Sequence, residues 1–485
     1  MSAHGPSLRR VAHTLRPMRW SRERLDAYQA ERLRALVRHA CERVPYYRRL
    51  YDAHGVRPEH IRSVADVARL PIARKEDMRL LDPGELLARG ARGDRLTSSW
   101  TSGSSGVPFS VRRHWVEQDV LHLFRYRALR SFGLRATDRV ASVGLVRTDV
   151  GRGSPNKKIV GRTLRAFGLH RRTTVDATAS AREIAERICA FAPHVITGYP
   201  GALAMAAATM TENDRRSLPA RFVSVGAEVL TPSLRARIAE GFGVPVFETY
   251  GSLEMNLIAW ECAATGALHV ADDSVLLEVL VDGRPAEPGE RGEVVATNLH
   301  AYAMPFIRYR LADVVTRGDR RCACGLPFSV IQGVEGRMID HLVLPDGRRM
   351  LPYEVSHCLV RMDATWVGQY QLVQERLDRV VMRVVPSAEP SPRQVAELRD
   401  DASTVLGRDV TLVLELVREL PRDPSGKVRL VRSMVQSNYD GPLSFAGAPA
   451  PPSPADGAMS PAISSLAAPP ADHAHAGGGY GARVP

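Results

Sequence analysis

The chain has 485 residues, 44% hydrophobic and 25% charged, with a formal net charge of +13. That length calls for two or three domains rather than one core, and no apolar run reaches the ~18–20 residues of a membrane span. The positive excess is arginine spread along the whole chain, without a dense basic block or interleaved aromatics, which argues against nucleic acid as a partner.

The start, MSAHGPSLRRVAHTLRPMRW, lacks the apolar stretch of a secretory signal, although its Arg-rich, acid-poor character weakly resembles a transit peptide. A cytoplasmic setting is expected. Residues 25–55 place Leu33, Leu36, Val37 and Ala40 at helical spacing, predicting a helix that ends before Pro45. Tyr46 and Tyr47 read as N-terminal core. A second helix is expected over 116–133 and a strand over 140–146. From 180 onward the pattern alternates. ASAREIAERICAFA reads as helix, HVITGY as strand, GALAMAAATMTEN as helix, RFVSVG as strand, TPSLRARIAEGF as helix and VPVFETYG as strand. Such alternation predicts a parallel or mostly parallel sheet with helices packed on it. Ligands of such sheets sit at the carboxyl ends of the strands. Gly198-Tyr199-Pro200, Gly226-Ala227-Glu228 and Tyr250-Gly251 all fall there.

SVLLEVLVDG and RGEVVATNL then read as β-strands around the polar turn RPAEPGE. Further on, HLVLPDGRRM predicts a hairpin at Asp346-Gly347 and VSHCLVRM a short helix. YQLVQ, RVVMRVV and TLVLELV read as strands, and SPRQVAELRDDASTVLG as a helix capped by Ser391. The expected class is α/β. A large domain with mixed or parallel sheets spans 25–339, after an extension over 1–24. A small α+β lid domain spans 340–437. The Ala/Pro/Gly-rich tail, 438–485, is expected to be disordered.

Several motifs carry chemistry. TSGSSG (101–106) can turn amides and hydroxyls toward phosphate oxygens. It is not G-x-x-x-x-G-K-[ST], and Phe109, not a lysine, follows Pro108. The whole chain has four lysines: Lys75, Lys157, Lys158 and Lys427. FETYGSLEMN (247–256) sets Glu254 just after a Tyr-Gly turn. RYRLADVV (308–315) offers Asp313, VEGRMID (334–340) offers Arg337 and Asp340, and LPRDPSGKVRL (420–430) puts Lys427 on a Pro/Gly turn. Without a secretory signal, the six cysteines are not expected to form a disulfide framework. Cys322-Ala-Cys324 is a close thiol pair, with Cys262 and His269 as the obvious second half. The four suit a tetrahedral soft-ligand site. They can equally be reduced thiols beside an ordinary strand histidine. Cys41 and Cys358, on helical patterns, read as packing residues. His194, before a strand, reads as structural.

In order and spacing these motifs resemble the adenylate-forming, acyl-activating enzymes, and within them the phenylacetate–CoA ligase family. The resemblance runs from about residue 28 to 435. It includes HACERVPYYRRLYDAHGV, LPIARKEDM, ITGYPGALAMAA, SVGAEVLTP, ETYGSLE, MPFIRYRLADVV, CACGLPFSVIQGVEGR and PRDPSGKVR. It implies roles. Thr101, Ser102, Gly103, Ser104, Ser105 and Gly106 would hold the ATP phosphates. Gly226, Ala227 and Glu228 would line the adenine and acyl pocket, with Tyr199 at the acyl cleft. Tyr250 and Gly251 would stack on the adenine, and Glu254 would bind Mg²⁺. Asp313 would take the ribose hydroxyls and Arg337 the ribose or phosphate. Asp340 would be the interdomain hinge, and Lys427 would reach the acid carboxylate and α-phosphate. The resemblance also supports zinc on Cys262, His269, Cys322 and Cys324 as a structural ion.

The expected reaction joins a carboxylic acid, aromatic or aryl-acetic by resemblance, to ATP·Mg²⁺, and then passes the acyl group to CoA. Two alternatives stand: an amine, hydroxyl or separate carrier-protein thiol as acceptor, or a non-catalytic nucleotide-binding scaffold. Relatives of this family often pair into homodimers.

Overall fold

Two rules of chain chemistry shape the N-terminal segment. Ser21 caps helix α1 (Arg22–Arg43) by accepting the Arg24 N–H at 3.3 Å. Pro45 holds Val44 extended (φ −110°, ψ 112°), which ends α1. Pro45 then starts a second helix, α2 (Pro45–Ala53), because proline fits a first helical turn. The sequence reading stopped the helix correctly but did not anticipate the new one. Leu25, Leu33, Leu36, Val37 and Ala40 form the buried face of α1. Tyr46, Tyr47 and Tyr51 are buried on α2, as the core reading expected of the first two. The computed structural model describes residues 16–91, 93–100, 109–144, 171–337, 342–346, 349–350, 366–386, 388–421, 428–429 and 431–435. The expected helix VSHCLVRM and the tail over 438–485 lie outside them.

After α3 (Lys75–Arg79), β1 (Leu96–Trp100) pairs antiparallel with β2 (Ser110–His114), and α4 (Trp115–Ser131) follows. The centre is a sheet of twelve strands among the described residues. One half is β4 (Arg172–Asp176), β3 (Val140–Gly144), β5 (Val195–Gly198), β6 (Phe222–Gly226) and β7 (Val246–Ser252), all parallel. Helices α5 (Ala181–Phe191), α6 (Pro200–Ala208), α7 (Glu212–Ser217) and α8 (Pro232–Phe242) provide the connections from β4 to β7. Ile184, Ile188, Leu203, Ile238 and Phe242 pack on Val143, Ile196 and Val223 in one apolar cluster. Each such buried side chain contributes about 1.5–3 kcal/mol.

The parallel expectation ends at β7. The chain doubles back into β8 (Asn256–Glu261), and β9 (Leu268–Val270), β10 (Val275–Val281), β11 (Arg284–Pro285), β12 (Arg291–Asn298), β13 (Tyr309–Arg317) and β14 (Val330–Arg337) all pair antiparallel. The cause is local. β10 and β11 are joined by Asp282-Gly283, both at positive φ (49° and 83°), a two-residue turn that can join only antiparallel neighbours. The N-terminal helices cover this half. Arg22 reaches Asp272 at 2.6 Å, and Arg127 grips Asp273 at 2.6 and 2.7 Å with no exposed surface on its own side chain.

A second sheet follows the expected hairpin of β15 (Leu342–Val343) and β16 (Arg349–Met350). Its strands run in the order β19 (Thr411–Leu416), β18 (Arg379–Pro386), β17 (Val367–Arg376), β20 (Val431–Ser433). Helix α9 (Pro392–Leu406) buries Leu398, Ala402 and Leu406 against it, and Ser391 caps that helix as expected. Buried Gln374 ties the hairpin to β17, donating to the Val343 carbonyl at 2.6 Å and accepting its N–H at 3.0 Å.

Candidate active site

β7 carries Tyr250 and Gly251 to the carboxyl end of the parallel half. A Cβ on Gly251 would stand 2.1 Å from the Asn256 carbonyl oxygen, so only glycine permits the tight return into β8. Glu254 sits in that return, 4% exposed. Its carbonyl accepts from Arg113 Nη2 at 2.7 Å and from Asn298 Nδ2 at 3.0 Å, which fixes the backbone. Burial holds the Arg113 guanidinium down at about 10, despite the opposing pull of Glu254 and Glu117.

The Glu254 carboxylate has two partners that sequence reasoning missed. Lys75 Nζ and the Tyr309 hydroxyl each donate to Oε1 at 3.1 Å. Burial, reinforced by the Glu254 charge, raises the Tyr309 hydroxyl well above its ordinary value, so it stays a donor. Lys75 is delivered by backbone pairing. Ala73 exchanges bonds with Arg308 and Arg310 at 2.9 Å each, and this places the start of α3 beside β13. Lys75 Nζ also lies 5.6 Å from the centre of the Phe109 ring. The position where a loop lysine was sought therefore holds a buried aromatic, and a cation from a distant segment lies over it. The available sequence signal was the rarity of lysine in this chain.

Asp313 accepts the Tyr250 hydroxyl at 2.6 Å. It lies in β13 where the register against β12 slips, next to Ala312 at φ 58°, a left-handed non-glycine residue. Such bulges re-aim side chains near functional sites. Asp313 pairs in register with Arg337 on β14; the Arg337 side chain lies outside the described residues. Thr101 to Gly106, Asp340 and Lys427 lie outside them too.

At the end of β6, a Cβ on Gly226 would stand 2.4 Å from the Thr249 carbonyl oxygen, so the strands approach too closely for a side chain. Ala227 follows at φ 71°. Tyr199, half-buried, precedes α6 at the end of β5, and its ring and hydroxyl lie 4.0 Å from where a Cβ would stand on Gly144. Tyr199, Gly144, Gly226 and Ala227 thus gather at the carboxyl ends of β5, β3 and β6. Glu228 is engaged otherwise than expected. Its carboxylate accepts the Gly201 N–H at 2.9 Å and the Val428 N–H at 3.0 Å. His194 is structural as read, with Nδ1 accepting the Arg139 N–H at 3.0 Å. Cys41 is half-buried on α1, and Cys358 is outside the described residues.

At the other end of β8 from the Glu254 return, Cys262, His269, Cys322 and Cys324 converge, with one ligand atom from each lying within 4.8 Å of the others. Cys262 directly follows β8, and His269 on β9 pairs in register with Val330 on the neighbouring strand β14. The Cys322 and Cys262 sulfurs are 3.8 Å apart, and His269 Nε2 is 3.3 Å from Cys324 Sγ. Bonds of 2.0–2.3 Å to one tetrahedral ion put its ligands roughly 3.3–3.8 Å apart, so this donor set fits zinc. Burial raises the Cys262 thiol, but hydrogen bonding from His269 and Thr265 outweighs it and the net shift is downward. Burial and the adjacent sulfurs push Cys324 up to about 12.

Comparison with known proteins adds to this geometry. The model of the CapK C-terminal domain matches residues 342–434. Phenylacetate-coenzyme A ligase of Thermus thermophilus is 28% identical over 447 residues, covering 84% of this chain and 96% of that one. The Escherichia coli K12 protein of the same name is 28% identical over 354 residues, 70% of this chain and 77% of that one. Among solved structures, 2-hydroxyisobutyryl-CoA ligase in the postadenylation state with R3-HIB-AMP superimposes with a TM-score of 0.69 at 21% identity, covering 86% and 91% of the two chains. The same ligase with 2-HIB-AMP and CoA in the thioesterification state gives 0.57 at 22% identity, over 86% and 91%. The fold is that of the adenylate-forming CoA ligases. In sequence the chain is similar to the phenylacetate–coenzyme A ligases over most of its length.

Proposed function

We propose that this protein is an AMP-forming acid–thiol ligase. A carboxylic acid and ATP·Mg²⁺ give an acyl-adenylate and pyrophosphate, and CoA then takes the acyl group, releasing AMP. The observation that carries this reading is the pair of buried carboxylates, Glu254 bonded to Lys75 and Tyr309, and Asp313 bonded to Tyr250, both linking β13 to the β7–β8 return, in a chain similar over 84% of its length to a phenylacetate-coenzyme A ligase.

In this reading Asp313, kept in place by Tyr250, takes the ribose hydroxyls of the nucleotide. Glu254 supplies the hard oxygen that Mg²⁺ prefers. Lys75 supplies positive charge toward the phosphates held by residues 101–106. Lys427 offsets charge developing at the α-phosphorus as the acid's carboxylate oxygen attacks it and pyrophosphate leaves. Holding the acid beside the α-phosphate makes that step effectively unimolecular. Rotation of the C-terminal domain near Asp340 lets one cleft serve both half-reactions. Tyr199 with Gly226 and Ala227 borders the acyl group, and the names of the curated relatives favour an aryl-acetic acid. Zinc on Cys262, His269, Cys322 and Cys324 would be closed and structural, fastening the end of β8 to the turn before β14.

The test is AMP release from ATP·Mg²⁺ with phenylacetate and a panel of aromatic and aliphatic acids, each with and without CoA. AMP that requires both one acid and CoA supports the ligase. Acid-dependent pyrophosphate exchange without CoA turnover redirects the transfer to an amine, hydroxyl or carrier-protein thiol. Silence across the panel, with no binding of ATP by calorimetry, overturns the reading.

A further inference from the structure

We infer that Glu228 is a positioning residue that docks the C-terminal domain for the acid-activating half-reaction, an inference that rests on the ligase reading above. Its two oxygens accept backbone N–H groups from two different parts of the molecule, Oε2 from Gly201 and Oε1 from Val428, 200 positions away in sequence. Gly201 lies in the first turn of α6, where N–H groups have no acceptor within the helix and the helix dipole favours an anion. Val428 directly follows Lys427 in the chain. One carboxylate therefore joins a helix N-terminus of the large domain to the backbone next to the lysine assigned to adenylation.

The surroundings hold the same junction from other sides. The Gly201 carbonyl accepts from Gln369 Nε2, on β17, at 3.2 Å. A Cβ at Gly201 would stand 3.2 Å from Glu228 Oε2 and 3.4 Å from Val428 Cγ2, so glycine here lets the carboxylate sit close to the helix start without being pressed aside. Ala227, a non-glycine residue at φ 71°, turns the chain just before Glu228 and sets where its carboxylate begins. The bond to Val428 exists only while the C-terminal domain is docked. Its free energy therefore biases the docked arrangement over the rotated one rather than the folding of either domain.

Glu228→Gln keeps the size but turns one acceptor into an NH₂ facing a backbone N–H. In the full chain with ATP·Mg²⁺ and phenylacetate, hydrogen–deuterium exchange over 421–435 is expected to rise. Pyrophosphate exchange is expected to fall roughly ten- to a hundredfold, the loss of one charge-assisted hydrogen bond. Thioester formation from synthetic phenylacetyl-adenylate and CoA should fall by at least about tenfold less, since that step uses the other domain arrangement. Val428→Pro removes the donor and leaves the carboxylate, so it should give the same split. The double variant should be no worse than the worse single one, as expected of a shared contact. Unchanged protection over 421–435 in both variants, or equal losses in the two half-reactions, overturns the inference. A wild-type protein inert in both half-reactions would instead count against phenylacetate in the functional reading, and the exchange comparison would still decide the role of Glu228.

Discussion

Lys75 and Glu254, 179 positions apart in the chain, meet at 3.1 Å with side chains 23% and 6% exposed. A buried carboxylate needs a counter-charge, and the ligase reading proposed above also asks for a cation near the phosphates. Backbone pairing of Ala73 with β13 brings the ammonium group of Lys75 to the hairpin of Glu254, where in that reading it would serve both.

Replacing Lys75 with Ala is expected to lower acid-dependent pyrophosphate exchange by roughly ten- to a hundredfold, the range for loss of a hydrogen bond to a charged group. Lys75→Arg should recover part of this at most, because a guanidinium fork does not replace a compact ammonium. Initial rates against ATP concentration make the comparison. Equal rates in Lys75→Ala and wild type remove Lys75 from the site.

The Tyr250 hydroxyl orients Asp313 from inside the protein. Tyr250→Phe leaves one hydrogen bond of a buried carboxylate unmade, at a cost of about 1.5–3 kcal/mol. The expected signature is a raised KM for ATP together with a lower Tm. A normal KM with a lowered Tm would assign the pair to stability alone.

Protein purified without chelator should contain about one zinc per chain by metal analysis. Cys262→Ser should lose most of it and melt earlier, because three remaining ligands no longer close a tetrahedral site. Wild-type protein without stoichiometric zinc would reduce the four residues to packed thiols and a histidine.

Glu248, two residues before Tyr250 on β7, has its carboxyl pushed up to about 7 by burial; Arg235 pulls it down and Glu261 adds to the rise. In the unfolded chain the same group titrates near its ordinary 4.5. Between those values the folded state holds more protons, so stability falls as pH rises from about 4.5 to about 7 and is flat above. Glu248→Gln should lack this slope. Melting both proteins from pH 5 to 8 checks it, and parallel Tm profiles would reject the assignment.

Much of this was legible before any coordinates. The 3.6-residue spacing of Leu33, Leu36, Val37 and Ala40 gave helix α1, and the alternation after 180 gave the parallel strands in order. The spacing of Cys262, His269, Cys322 and Cys324 was enough to gather a ligand set. What was hidden depends on the third dimension. Nothing local to Lys75 marks it, since its partner lies in another motif. Glu228 sits in a Gly-Ala-Glu stretch that reads as a pocket wall, and only the docked Val428 reveals its second partner. The strands after 274 were read as strands in a mixed sheet, but their directions were less legible, because they follow from short connections such as Asp282-Gly283 between β10 and β11, which a hydrophobic pattern does not encode.

The Tyr47 hydroxyl donates to the Pro305 carbonyl at 3.2 Å and accepts the Ile307 N–H at 2.9 Å, while Arg22 pairs with Asp272. These two helices thus complete their packing only when segments 250 to 260 positions further along the chain have formed. Until then part of their apolar face is uncovered, which exposes a folding intermediate to aggregation. Long-range closure of this kind is also slow. Refolding of the full chain from denaturant should therefore recover the N-terminal tyrosine environment late, in step with the closing of β13 over the β7–β8 return rather than ahead of it.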